Sequence, residues 1–387
     1  MRLRTRKALL NFAFFGGALC FILYVNVIQS RHVDKRRFAW TRVRYSTTAV
    51  NLPAAYGVCP GLASSAKPAL VVSRVAADGN AEWTDRLSEL YHLCVYTVDG
   101  SREERVTHLQ VPANRGHEAM AYLTFLIDNF DDIPAAGTVF VHGSRWAWHN
   151  DSPEYDNAAL LAALNVSAAL APSGYHNLRC DWSASTCAPD YGPPQGSLET
   201  SVNARLQPWA ARAVSDAALS HALSALFGGK LSRKDLDARV LLGRRDAVRA
   251  QCCAQFVVSR ERVWQHSRDE YVALRQWLLD GSKERRDGDR TPNKDAAPAD
   301  DRIAGRILSY IWHIIFLPID VSTGQDASND LDLDRLNALA CPRADECYCR
   351  LYGRCDLQGC DEPGTCRGQY ILPPDFSLSD DWAATHS

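Results

Sequence analysis

The chain has 387 residues, 46% of them hydrophobic, which is ample material for one large folded domain or a domain with a small added module. Its formal net charge of −2 conceals a division: residues 1–44 hold 10 Lys/Arg and a single Asp, so the remainder carries 33 basic against 44 acidic groups, net −11. A main body of that sign binds polyanions poorly, which argues against nucleic acid as a partner.

MRLRTRK opens the chain and is followed by 21 uncharged residues, Ala8 to Ile28. As a helix at about 1.5 Å per residue this run is about 31 Å long, enough to cross a bilayer. It exceeds the ~7–15 apolar residues of a secretory signal, and QSRHVDK beyond it lacks a small-x-small cleavage site, so an uncleaved anchor is expected. Lys/Arg counts on its two flanks leave the orientation open. Cysteine decides it. Twelve of the 13 Cys lie outside this segment, and Cys341, Cys347, Cys349, Cys355, Cys360 and Cys366 fall within 26 residues. With no C-x-x-C and no His among them, the six read as a disulfide framework in an oxidising lumen rather than a zinc site. The expectation is a single-pass type II membrane protein of the Golgi or endoplasmic reticulum. Residues 1–7 form its cytosolic tail, 8–28 its span, and the main domain is lumenal.

Residues 29–66, rich in basic, Ser, Thr, Ala and Pro residues, read as a stem. The main domain, 67–325, begins with a short strand at Leu70–Ser73, a polar turn holding Asp78, and a helix carrying Trp83, Leu87 and Leu90. CVYTVDGS, 94–101, is the next strand, ending in Asp99-Gly. PANRGHEAMAYLTFLIDNF then places Ala119, Tyr122, Leu123, Leu126, Ile127 and Phe130 on one apolar helical stripe. TVFVHG, 138–143, reads as a buried strand feeding a loop of His142, Arg145, Trp146, Trp148 and His149. Strand and helix alternate with short joins, which predicts an α/β fold with a mostly parallel sheet flanked by helices. Ligands of such sheets sit at the carboxyl ends of the strands.

Further along, Asn150-Asp-Ser and Asn165-Val-Ser are acceptor sequons for N-glycosylation, the first weakened by Pro153. Cys180 and Cys187 are expected to pair around DWSAST, and the adjacent Cys252 and Cys253 to bond to distant partners, since joining them to each other would strain the peptide. Ser267 to Glu270 is a capping box ahead of a core helix. The stretch 282–301, almost free of apolar residues, reads as a solvated, disordered loop. Trp312-His313 lies in an apolar helix, where a packed histidine and a ligand contact are both open. Residues 326–387 are read as a Cys-rich module and tail.

Several of these segments carry a resemblance. VVSR-x-x-x-D, P-x-N-x-G-H-E-A-x-x-YL, VFVHG, GYHNLRC, CCAQFVVSRERV and GRILSYIWHIIF resemble a family catalogued as a domain of unknown function, over roughly residues 68–318. The order of pieces is also similar to the nucleotide-sugar half of a GT-A glycosyltransferase. That resemblance implies a GT-A-like fold and transfer of a sugar from a nucleotide sugar to a glycan or glycoconjugate. It further implies donor contacts from Asp78, Asp99, Asn114, Arg145 and His313, acid–base chemistry from Glu118 and His142, and sugar stacking on Trp146 and Trp148. The chain departs from the pattern in three places. Val141-His142-Gly143-Ser144 stands where a metal-dependent enzyme has Asp-x-Asp, which puts a divalent cation such as manganese in doubt; His117 stands where the unknown-function family has Arg, and Ser309 where its final helix has Glu. A lumenal carbohydrate-binding or scaffold protein without catalysis would keep the same core and the same aromatic cluster.

Overall fold

Short continuous apolar runs, buried on both faces, build the inner strands of a central sheet. The structure, a computed structural model, describes residues 3–30, 37–45, 57–99, 109–229, 239–282, 293–318 and 330–371. The strands β1 (Ala69–Arg74), β2 (His92–Thr97), β3 (Leu109–Gln110), β4 (Thr138–His142), β5 (Tyr175–Asn177) and β6 (Phe256–Val258) lie in the order β3-β2-β1-β4-β6-β5. β1 runs parallel to β2 and β4, and β2 parallel to β3, while β6 is antiparallel to both β4 and β5. The expected mostly parallel sheet is therefore present.

Successive side chains of these strands part to opposite faces. Val71, Phe140 and Phe256 enter one core, and Leu70, Val72, Val139, Val141 and Val257 enter the other. The principal helices are α1 (Leu3–Ser30), α2 (Glu118–Asp128), α3 (Asn157–Ala163), α4 (Ala211–Gly228), α5 (Arg268–Asp280), α6 (Asp301–Ser309), α7 (Trp312–Phe316) and α8 (Ala344–Tyr352). α2 packs between the first face of the sheet and α5 and α6, so every residue from Ala119 to Ile127 is buried and the expected single stripe is too narrow a description. The Tyr122 ring sits 4.9 Å from Phe140, 5.9 Å from Phe256 and 6.1 Å from Trp312. Such pairs stabilise by about 0.5–1.5 kcal/mol each beyond their buried area, and here they fix the first turns of α2 on the sheet. The capping box is formed: Glu270 Oε2 accepts from the Ser267 amide at 2.9 Å. Of the helix expected after Asp78, residues 82–89 form 3-10 turns in which Trp83 and Leu87 are buried and Leu90 is exposed.

Four expectations change. The stem is partly built into the domain: Trp40 is fully buried and donates to the Val240 carbonyl, the Val43 amide bonds Glu270, and Cys59 is joined to Cys94. The stretch 282–301 is not wholly solvated. Residues 283–292 lie outside the described ones, but Ala297 is buried, Trp277 donates to the Asp295 carbonyl, and Asp301 begins α6. The Cys-rich segment is not a separate module, because α8 inserts Cys347, Tyr348 and Leu351 into the second core; the tail beyond 371 lies outside the described residues.

The fourth change concerns disulfides. Cys180 pairs with Cys347 and Cys187 with Cys341, so instead of bonding each other these two cysteines clamp the C-terminal segment to the main domain, one at α8 and the other just ahead of it. Cys252 and Cys253 bond each other, all other cysteines outside α1 being committed to Cys59–Cys94, Cys349–Cys355, Cys360–Cys366 and the two clamps. The backbone there accommodates the pair by positive φ at Cys253 (87°) and Ala254 (50°). The segment expected to span is helical within α1 and exposes Phe12, Phe14, Phe15 and Phe21. Among the described residues, however, no helix is long and apolar enough to cross a membrane.

Candidate active site

β1 sends the chain to β2 on one side and, later, to β4 on the other, so the strand order reverses between β1 and β4. The carboxyl ends of strands at such a reversal border a crevice where ligands bind. Gly143, just past β4, approaches β1 so closely that a Cβ there would lie 2.3 Å from Arg74 Cβ. This explains the glycine that ends the strand.

The turn before α2 is held from a distance. Arg115 is buried and donates to the carbonyls of Leu278, Gly281, Pro298 and Ala299, and to Asp301 Oδ1 at 2.8 Å. The same Asp301 oxygen accepts from the Gly116 amide at 2.7 Å. Gly116 has φ 74°, and a side chain there would strike Leu278 at 2.8 Å. His117 follows with φ 54°, half-exposed, its Nε2 3.8 Å from Asp301. This locked turn delivers Glu118 as the first residue of α2.

Glu118 is the best-placed acid–base group of the crevice. Its side chain is 16% exposed, and Oε2 lies 4.0 Å from Nε2 of His142 at the end of β4. Burial pushes its carboxyl up to about 7; neighbouring Asp301 adds to the rise and Arg306 opposes it. Burial, with His149 and His117 nearby, lowers His142 to about 3, so its imidazole is neutral at physiological pH. His142 Nδ1 and His149 Nε2 are 2.8 Å apart, one donating to the other. His149 is itself lowered by burial and by Arg179. The three groups thus form a line of carboxyl, imidazole and imidazole. His142 Nε2 has no hydrogen-bond partner among the described atoms, nor has the Tyr122 hydroxyl one turn beyond Glu118. A buried polar atom left unpaired is unfavourable unless something else satisfies it. His142 is held by the Cys-Cys-Ala-Gln stretch: Gln255 Oε1 accepts from the His142 amide at 3.3 Å and from Asn157 Nδ2 at 3.2 Å.

The other expected residues are placed differently. Asp78 accepts from the Val75 amide at 2.9 Å and from the Ser144 hydroxyl; Asp99, exposed, accepts from the Ala76 amide at 2.8 Å. Both border the crevice, both bonded to turns. Arg145, expected to contact the donor, is paired with Asp156 through Nε at 3.0 Å and NH2 at 2.9 Å. Its guanidinium also covers the Trp146 ring at 4.6 Å. Trp146 and Trp148 are 56% and 67% exposed. Asn114 is exposed in the bend before Arg115. His313 is buried and lowered to about 3 by burial alone, and its Nε2 has no hydrogen-bond partner among the described residues, so both readings of it stay open. Asn150 is wholly buried, its amide donating to the Arg145 and Tyr155 carbonyls and its Oδ1 accepting from Gln255, so the folded chain does not present it for glycosylation. Asn165 is half-buried and caps a short helix.

Asp301, Gln255 and Asn157 are positioning residues that sequence reasoning missed. Gln255 had a signal in the Cys-Cys-Ala-Gln-Phe motif; Asp301 had none, lying in a stretch that reads as solvated. Metal-type donors gather at Cys59, His92 and Cys94, but the two sulfurs are joined in a disulfide, leaving no thiolate ligands. No curated protein and no solved structure matches the chain. A family model does, over residues 70–350, and this span contains the sheet, the locked turn and the Glu118–His142–His149 line. The chain therefore belongs to the family described as protein of unknown function (DUF3431).

Proposed function

We propose that the chain is a glycosyltransferase of the secretory pathway, anchored by residues 8–28 with its main domain lumenal, moving a sugar from a nucleotide sugar to a hydroxyl of a glycan or glycoconjugate. The observation that carries this reading is the Glu118 carboxyl, raised to about 7 beside a neutral His142 at the strand reversal. A base near the working pH takes a proton most effectively, and Glu118 would take it from the acceptor hydroxyl as the sugar bond forms. His142, backed by His149, offers a ring edge that tightens onto the carboxylate once charge develops. The 4.0 Å separation is typical of a site without substrate. Manganese does not fit: Asp78 and Asp99 are bonded to backbone amides and Ser144 rather than facing each other as a free pair. No step is therefore assigned to a metal.

The exposed Trp146 and Trp148 favour a second reading, a lumenal carbohydrate-binding protein that uses the rings without catalysis. Purified full-length chain, screened with nucleotide sugars and simple glycan acceptors for release of the free nucleotide, separates the two. Transfer that falls by about 10²–10⁴ in Glu118→Gln supports the enzyme. Turnover indifferent to that change removes Glu118 as the base. Saturable sugar binding without turnover, lost in Trp148→Ala, establishes the binding protein instead.

A further inference from the structure

A second polar cluster adjoins the Glu118 site through α6. Tyr310, one turn after Arg306, brings its hydroxyl 3.5 Å from that of Tyr191. Tyr191 is 3.4 Å from Asp216 Oδ2 and accepts from Arg212 Nε. The Arg212 guanidinium lies 3.8 Å over the Tyr191 ring, and that of Arg249 is 5.8 Å from the same ring. Arg306 is exposed and acts on Glu118 as well as on Asp216 and Tyr310, so it borders both clusters. Among the described residues no ion pair joins Arg212, Arg249 or Arg306 to a carboxylate, whereas Arg145 and Arg179 each hold an aspartate. Three guanidiniums and two hydroxyl donors thus surround one carboxylate, whose Oδ1 is buried without a partner. Burial pushes Asp216 up to about 6, so it is still mostly ionised at neutral pH, and the three guanidiniums outnumber that single opposing charge.

We propose that Arg212, Arg249 and Arg306, with Tyr191 and Tyr310, form an oxyanion subsite beside Glu118 that takes a diphosphate group. Planar guanidiniums suit phosphate oxygens, and a surplus of positive charge there would stabilise a diphosphate as it leaves. The subsite supplies the cations that Arg145, held by Asp156, does not. That the diphosphate belongs to a sugar donor rests on the transfer reading above; that an oxyanion binds does not.

Titration calorimetry of the full-length chain with sodium pyrophosphate, and separately with glucuronate at matched ionic strength, tests it. Pyrophosphate is expected to bind one to one. Its affinity should fall roughly tenfold or more in Arg306→Gln and in Arg212→Gln, each losing a charge-assisted contact. Affinity should be unchanged in Arg343→Gln, whose guanidinium is paired with Asp345. Both subsite arginines are exposed, so the variants should fold, which circular dichroism checks. Glucuronate binding at these arginines in place of pyrophosphate would overturn the diphosphate assignment and point to an acidic acceptor. Absence of binding, or binding that both variants retain, would overturn the subsite. Glu118→Gln should keep pyrophosphate binding, so loss of the base and loss of the subsite are read separately.

Discussion

Replacing Glu118 by Gln should make the protein more stable and less active at the same time. A carboxyl raised from an ordinary 4.5 to about 7 is protonated in the folded chain over a range where it is ionised in the unfolded one. Folded protein then binds more protons, so stability falls as pH rises between those two values. At ~1.4 kcal/mol per pH unit the loss above pH 7 is about 3 kcal/mol. Gln does not titrate and escapes that loss. It also gives up the favourable interaction of a carboxylate with the start of α2, about 0.3–1 kcal/mol. Urea unfolding at pH 8.5 should therefore show the variant about 2–3 kcal/mol more stable, while at pH 4.5 the two proteins should be nearly equal. In parallel, kcat/KM of the wild-type protein should rise with pH to a plateau with a midpoint near 7, and the variant should lack that rise. A stability difference that is the same at both pH values would refute burial as the cause of the shift, and with it the case for a poised base.

Two further outcomes follow from the packing. Asp301→Asn removes the carboxylate shared by Arg115 and Gly116, so stability should fall by about 2 kcal/mol, a value discounted because Asp301 is 37% exposed. Because Asp301 helps raise Glu118, the midpoint of the pH–rate profile should also move down, and an unmoved midpoint would show that the two do not interact. Cys347→Ser opens a disulfide that closes a separation of 167 residues, against 6 for Cys349–Cys355; chain entropy gives about 5 and about 2 kcal/mol for the two. Equal urea midpoints for Cys347→Ser and Cys349→Ser would mean that α8 is held by its apolar contacts alone.

Much of the sheet was legible because strand patterning is local. Val71, Phe140 and their neighbours announce buried strands as short unbroken apolar runs, and Ser267 with Glu270 announces a helix start three residues apart. The position of Glu118 just after a Gly-containing turn, and of His142 at a strand end, could likewise be read along the chain. Their mutual approach could not. It depends on strand order, which places β4 beside β1 rather than beside β3, its predecessor in sequence.

By itself, then, the sequence determined the α/β class, the strands and helices of the first half of the domain, the presence of a disulfide framework and the membership of a family. Only the tertiary structure decided which cysteines meet, which charges remain unpaired, and what anchors the turn before α2. Periodicity and capping are settled by contacts within a few residues, whereas Asp301 meets the Gly116 amide across 185 positions and Cys180 meets Cys347 across 167. Partners that far apart are chosen by the path of the folded chain, which no local pattern records. That path also ties Arg145 to Asp156 and leaves Arg306 with no ion pair among the described residues, a difference in role that two identical side chains cannot reveal until their neighbours are known.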